Sequence, residues 1–185
     1  LYTQGIKDVF DSNFQYQKAQ FFFRKPTQIG SSGKLKTTVE VGKIFGEVPL
    51  ALMSVVPGNQ SYFSIENNFN LLNFYEFVAD TYVSGQLEHN FNGKILGKFP
   101  IIRKWNLREI VGIKAVYGTV SDANKKINAS GLEYVAPENI YWEYHAGIGN
   151  IFKVFRIDFC WRGSYHDNLY NSQNFGIKGS FGFYF

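Results

Sequence analysis

Three histidines, one cysteine and a scattered set of charges are the residues of this sequence that could carry chemistry. His89, His145 and His166 lie in separate segments and lack the HxxxH-type spacing that brings two imidazoles to one metal ion. Cys160 is the sole thiol, with no motif around it and no base at a fixed offset, so it reads as a packed interior side chain rather than a nucleophile. Glu88 and His89 are adjacent, but neighbours in a strand point to opposite faces and form no acid–base pair. No glycosidase-type carboxylate pair is discernible, and the glycines of GIGN and GSFGF do not precede a helix as a phosphate cradle does. The expectation is a protein that is not an enzyme and uses no metal or cofactor. What remains is a mixed-sign set: Asp80, Glu88, Arg108, Lys114, Glu143, Arg156, Asp158, Arg162 and Lys178. A ring of one sign would suggest ion selectivity, whereas mixed signs suggest an interior cross-linked by hydrogen bonds and ion pairs.

Those charges are positioned by strict alternation. In NFGIKGSFGFYF, Phe175, Ile177, Gly179, Phe181, Phe183 and Phe185 share one face, and Asn174, Gly176, Lys178, Ser180, Gly182 and Tyr184 the other. The same period of two puts Phe155, Ile157, Phe159 and Trp161 opposite Arg156, Asp158, Cys160 and Arg162. It recurs over 139–149, 103–118 and 76–92, and more weakly over 34–47 and 14–25, which predicts about seven strands and no helix. Strands of about 11 to 17 residues exceed the soluble average of about 5 to 6 and suit tilted crossings of a bilayer. Glu109 breaks the pattern, and a bulge resetting the register is expected there. Lys43 raises the same question.

The composition agrees. The 185 residues include 19 Phe, 12 Tyr and 3 Trp, with 45% hydrophobic residues, which excludes a disordered tail; one Cys excludes a disulfide framework. The net charge of +4 is spread along the chain rather than gathered in a stripe, so no nucleic-acid partner is expected. VPLALMSVV is too short for a spanning helix, but a spanning strand needs only about 9 to 11 alternating residues.

Connections of two kinds alternate: short at 25–34, 92–103 and 149–152, longer and mostly polar at 47–76, 118–139 and 165–174. An outer-membrane barrel has this asymmetry, with short periplasmic turns and long external loops. Seven strands are odd where a bacterial barrel is even, and LYTQGIKDVF has neither an initiating Met nor a leader pattern. Residues 1–185 are therefore expected to be the C-terminal portion of one barrel in a longer chain. A Gly149–Asn150 turn would pair Glu143 with Arg156, Tyr141 with Asp158 and Tyr144 with Phe155.

With the strands placed, TTVEVGKIFGEVPL (37–50), the segment from Asn73 to Gly118, YHAGIGNIFKVFRIDF (144–159) and FGIKGSFGFYF (175–185) resemble the C-terminal barrel of a Bacteroidota outer-membrane family of unknown function. Full-length members of that family look like a carboxypeptidase-like regulatory domain followed by a barrel. More distantly, Phe45, Gly46, Pro49, Glu88, Gly147, Gly149, Arg156 and Asp158 are similar to elements of the surface-antigen superfamily that includes barrel-assembly factors. In that superfamily a long loop carries an Arg at its tip and folds into the barrel; residues 57–75 here contain no Arg. Phe181, Phe183 and Phe185 resemble the C-terminal signal by which the barrel-assembly machinery takes its clients, and equally read as lipid-facing girdle residues.

The resemblance implies an integral protein of a Gram-negative outer membrane, structural or related to assembly or translocation. Its partners would be membrane lipid, the assembly machinery and other outer-membrane or periplasmic proteins. A passive channel and a soluble ligand-binding barrel are the alternatives. The expected polar network of the lumen comprises Glu88, Arg108, Glu143, Arg156, Asp158, Arg162 and Lys178.

Overall fold

The computed structural model describes residues 1–6, 14–128, 134–166 and 173–182. Phe183 and Phe185 lie outside them. The protein is all-β: one antiparallel sheet holds β1 (Tyr2–Gly5), β2 (Tyr16–Gln28), β3 (Lys34–Gly46), β6 (Thr81–Asn90), β7 (Arg108–Thr119), β8 (Tyr141–Ile151), β9 (Phe155–Arg162) and β10 (Phe175–Phe181), in that order. A two-residue pair, β4 (Ser54–Val55) with β5 (Val78–Ala79), forms a second sheet. Two short helices, α1 (Pro100–Arg103) and α2 (Asp122–Ile127), lie in connections, where the strand pattern predicts none. The eight strands include β1, ahead of the seven expected, so an odd strand count no longer argues for a further strand. Among the described residues no ladder joins β1 to β10.

β7 and β9 keep one parity throughout, whereas β2 alternates only as far as Phe21 and is exposed on both faces from Phe21 to Gln28. In β7, Ile110, Lys114, Val116 and Gly118 are buried while Val111, Ile113 and Tyr117 are exposed. In β9, Arg156, Asp158, Cys160 and Arg162 are buried while Phe155, Ile157 and Phe159 are exposed. The face that carries charge is thus covered, and the face that carries aromatic and branched apolar side chains is open. Soluble sheets are arranged the other way round.

The covering is supplied by the chain between β3 and β6, expected as a polar external loop. Residues 47–80 fold against the charged face, and the buried apolar cores sit there and not on the strands' apolar faces. One core packs Val56, Phe69, Leu72 and Phe77 on Val116 and Tyr141; a second joins Val48, Met53 and Val78 to Ile44 and Val120. Residues 120–128 close over the same end. Asn124 of α2 accepts from Val48 N at 2.8 Å and donates to Asp80 Oδ2 at 2.9 Å, while Asn128 accepts from Leu50 N at 2.7 Å.

The β8–β9 register differs from expectation. Glu143 pairs with Arg162, His145 with Cys160 and Gly147 with Asp158, not Glu143 with Arg156, Tyr141 with Asp158 or Tyr144 with Phe155. The shift from Arg156 to Arg162 is an even number of residues, so every side chain keeps its face. Two constraints override the turn preference of Gly-Asn. Gly149 is held in the ladder to β7 opposite Arg108, and Gly147 provides space for its partner, since a Cβ there would lie 2.1 Å from Asp158 Oδ1. The chain reverses instead at Phe152 and Lys153, both with positive φ, after an irregularity between Ile148 and Ile151.

No bulge occurs at Glu109. It stays on the open face opposite Ile148, Ile110 stays on the covered face, and the Glu109 carboxylate accepts the Leu96 N–H from the 91–107 connection. Lys43 is exposed on the same open face, with its ammonium 5.1 Å from the Phe45 ring centroid.

Candidate functional site

A backbone buried against a wall of side chains must find hydrogen-bond partners there. The charged face supplies them to the 47–80 segment. Glu143 of β8 accepts from Asn70 N at 2.5 Å, Leu71 N at 3.0 Å and the Tyr141 hydroxyl at 3.1 Å. Lys114 of β7 donates to Asn68 O at 2.5 Å, Gln86 of β6 to Asn67 O at 2.7 Å, and Lys178 of β10 to Asn59 O at 3.1 Å and Ser61 O at 2.5 Å. Arg162 and Glu76 pair at 2.5 Å with both side chains wholly buried, and the guanidinium lies 4.8 Å from the Tyr141 ring centroid. Cys160 accepts from Asn70 Nδ2 at 3.4 Å and is a packed thiol, as expected.

A second group is made by side chains alone. Arg156 of β9 reaches Glu88 of β6 at 2.8 Å and Asp158 at 2.7 Å; His145 Nε2 lies 3.2 Å from Arg156 and 3.4 Å from Glu88. Gly112 makes room for that imidazole, because a Cβ at 112 would lie 2.3 Å from His145 Cε1. Lys36 bridges Glu88 at 3.5 Å and Glu66 at 3.1 Å, and Arg24 lies 3.4 Å from Glu66. The hydrogen bond from Lys36 holds the Glu66 carboxyl below its ordinary pKa, against a smaller opposing effect of burial. Between this group and the 64–70 segment is a cavity of about 330 Å³ lined by Lys36, Glu66, Glu88, Lys114, His145 and Arg156 among others.

Of the residues expected in the lumen network, Glu88, Arg156 and Asp158 are joined directly; Glu143, Arg162 and Lys178 engage the 47–80 segment instead. Arg108 stands apart at the turn end of β7. Sequence reasoning missed Lys36, His145, Glu66 and Glu76. Lys36 and His145 fall on the charged parity of their strands, which is a usable signal. Glu66 and Glu76 lie in a segment without period, and nothing local marks them. Among the described residues no group of three metal-ligating side chains occurs.

At the edge of β10 that faces away from β9 the same segment makes a parallel bridge from Phe63 to Gly179: Ser64 N donates to Gly179 O at 2.7 Å and Gly179 N to Tyr62 O at 2.9 Å. Phe181 is 62% exposed, with its ring centroid 4.4 Å from that of Phe155 and 5.5 Å from that of Phe63.

Residues 1–124, which carry β1 to β7 and the covering segment, match the C-terminal domain of a family of unknown function, DUF5686. The chain belongs to this family. The matched part includes Lys36, Glu66, Glu88 and Lys114; the other half of the charged face, on β8 to β10, lies beyond the match but in the same continuous sheet. No curated protein matches the sequence.

Proposed function

We propose that the chain is the C-terminal portion of a transmembrane β-barrel in the outer membrane of a Gram-negative bacterium, with a structural or assembly- and translocation-related role of the surface-antigen kind. The observation that carries this reading is the inversion of the sheet. Arg156, Asp158, Arg162 and Glu143 are covered, while Phe155, Ile157, Phe159, Val111, Ile113 and Phe21 are exposed, and β2, β3, β6, β7 and β8, at 10 to 13 residues, are long enough to cross a bilayer. Leaving such a face in water costs about 25 cal/mol for each Å² of apolar surface, and lipid removes that cost. Aromatic contacts on the open face, Tyr144 stacked on Trp161 at 5.4 Å and Trp161 tilted against Phe175 at 5.6 Å, suit a girdle at one interface.

The interior bears on barrel size. Eight strands enclose space that side chains alone fill, whereas here the charged face also accommodates residues 47–80, so a closed barrel containing this segment requires further strands. The partners are membrane lipid and, through the C-terminal strand, the assembly machinery, which would capture the edge of β10 by strand addition. An assembly role would add other outer-membrane or periplasmic proteins as partners. A channel is the alternative; the 47–80 segment packed on the polar face argues against an open one. A soluble ligand-binding barrel would need the aromatic face inward, and Phe155 and Phe159 face outward.

The test is fractionation of the full-length protein. It should remain in the outer-membrane fraction after an alkaline carbonate wash and, in detergent, migrate faster unheated than boiled. Recovery in the aqueous fraction without detergent would overturn the reading.

A further inference from the structure

The connection between β6 and β7 carries a 3-10 turn at Leu96–Lys98 and α1, and its composition differs from the other turns. KILGKFPIIRKW, residues 94–105, holds Lys94, Lys98, Arg103 and Lys104 interleaved with Ile95, Phe99, Ile101 and Trp105. Glu109 is the sole acid from Phe91 to Glu109, and its carboxylate accepts the Leu96 N–H. Glu109 stands on the open face of β7, so this bond draws the connection toward that face at the turn end of the sheet. Ile101 is 80% and Trp105 65% exposed there.

Lys94, Lys98, Arg103 and Arg108 line one concavity of about 580 Å³ together with Asn106 and Asn150, and no carboxylate lines it. Lys94 donates to Ser32 Oγ at 3.1 Å. The side chains of Lys98, Arg103 and Arg108 enter no ion pair or hydrogen bond among the described residues. Converging cations of like sign repel one another, and an anion held between them relieves the repulsion. A phosphate suits such a pocket: guanidinium groups bind it in bidentate fashion and ammonium groups as point charges.

We infer that this pocket binds the phosphate of an anionic phospholipid at the turn-side boundary of the membrane, an inference that rests on the transmembrane reading above. The exposed Ile95, Phe99, Ile101 and Trp105 select a lipid over a soluble phosphate, because apolar and aromatic side chains beside a cationic cluster match the boundary between headgroup and acyl chain. The lipid screens the cations, and the connection shields Glu109 from the hydrocarbon.

The experiment uses the full-length protein in a W142F/W161F background, leaving Trp105 as the reporter within residues 1–185, with any tryptophan outside them also replaced by Phe. The protein is reconstituted in phosphatidylcholine vesicles containing graded amounts of either brominated phosphatidylglycerol or brominated phosphatidylcholine. Phosphatidylglycerol should quench Trp105 at a several-fold lower mole fraction, and 0.5 M NaCl should narrow the gap. K98Q should weaken the preference by about fivefold, the effect of one cation near an anionic surface, and K98Q/R103Q/R108Q should abolish it while retaining heat-modifiable mobility. Equal quenching by the two lipids, or a preference surviving the triple substitution, would overturn the inference. Loss of the preference in 10 mM inorganic phosphate at constant ionic strength would reassign the pocket to a soluble anion. A parallel W105F/W161F protein reports from Trp142 on the open face. Quenching of Trp142 without lipid preference at Trp105 sinks only this inference, whereas no quenching at either position sinks the transmembrane reading as well.

Discussion

Arg156 illustrates why the buried charges of this protein cannot be exchanged one at a time. Its guanidinium satisfies Glu88 and Asp158 together and lies against His145, and removing one partner of a buried pair leaves the others desolvated and unpaired. Arg156→Lys should recover only part of the loss of about 3 to 5 kcal/mol expected for Arg156→Ala, read as a lowered urea midpoint in detergent, because a single ammonium lacks the planar array by which Nε reaches Asp158 while Nη2 reaches Glu88. Glu66 behaves differently, being exposed and outside the strands. Its carboxyl titrates below its ordinary value because Lys36 donates to it. A depressed carboxyl stabilises the state that holds it above the unfolded pKa, and that contribution is lost as pH falls through the folded one. Acidification below about pH 4.5 should thus loosen the tip of the 47–80 segment, seen as smaller amide protection factors over residues 64–68 once the pH dependence of unstructured exchange is divided out, and Glu66→Gln should remove that change. Unchanged protection factors between pH 6 and pH 3.5 would count against it.

Parity survives at the scale of elements, and pairing does not. A period of two is written into each strand and places Arg156, Asp158 and Glu143 on one side whatever the neighbour does. Register depends on which residues can stand opposite one another, and local turn chemistry favours Gly149–Asn150 while the ladder to β7 and the space above Gly147 favour reversal at Phe152–Lys153. In a C160A background, A146C/F159C should form a disulfide on mild oxidation because those residues are direct partners. W142C/I157C, partners in the turn-based register, should not; the opposite result would restore that register. Glu109 teaches a related lesson. Its carboxylate on the apolar parity looked like a slip, but an element remote from the strand pattern, the 91–107 connection, supplies its partner.

For the molecule as a whole, the decisive feature is the segment 47–80 packed on the charged face. It converts a wall of mixed charge into a set of backbone partners and carries Phe69, Leu72 and Phe77 into the buried core. Replacing residues 58–73 by a short Gly-Ser linker should expose Lys114, Glu143 and Lys178 to water, and in planar bilayers the full-length variant should show steady conductance where the parent is nearly silent. Equal conductance in the two would mean that this segment does not obstruct the interior.

The sequence by itself determined the all-β class, the parity of most strands and which face bears charge, because a two-residue period is a local property; the strand lengths it suggested, about 11 to 17 residues, are too great, since β2, β3 and β6 to β10 have 7 to 13. It also placed Cys160 in the interior. Only the tertiary structure decided that a connection read as external folds onto the charged face. Only it paired Lys36 with Glu66 and Arg162 with Glu76, and moved the β8–β9 register by an even step. Those outcomes depend on where buried backbone groups and ions find partners across long sequence separations, and the free energy of such pairing belongs to both members at once and is legible in neither.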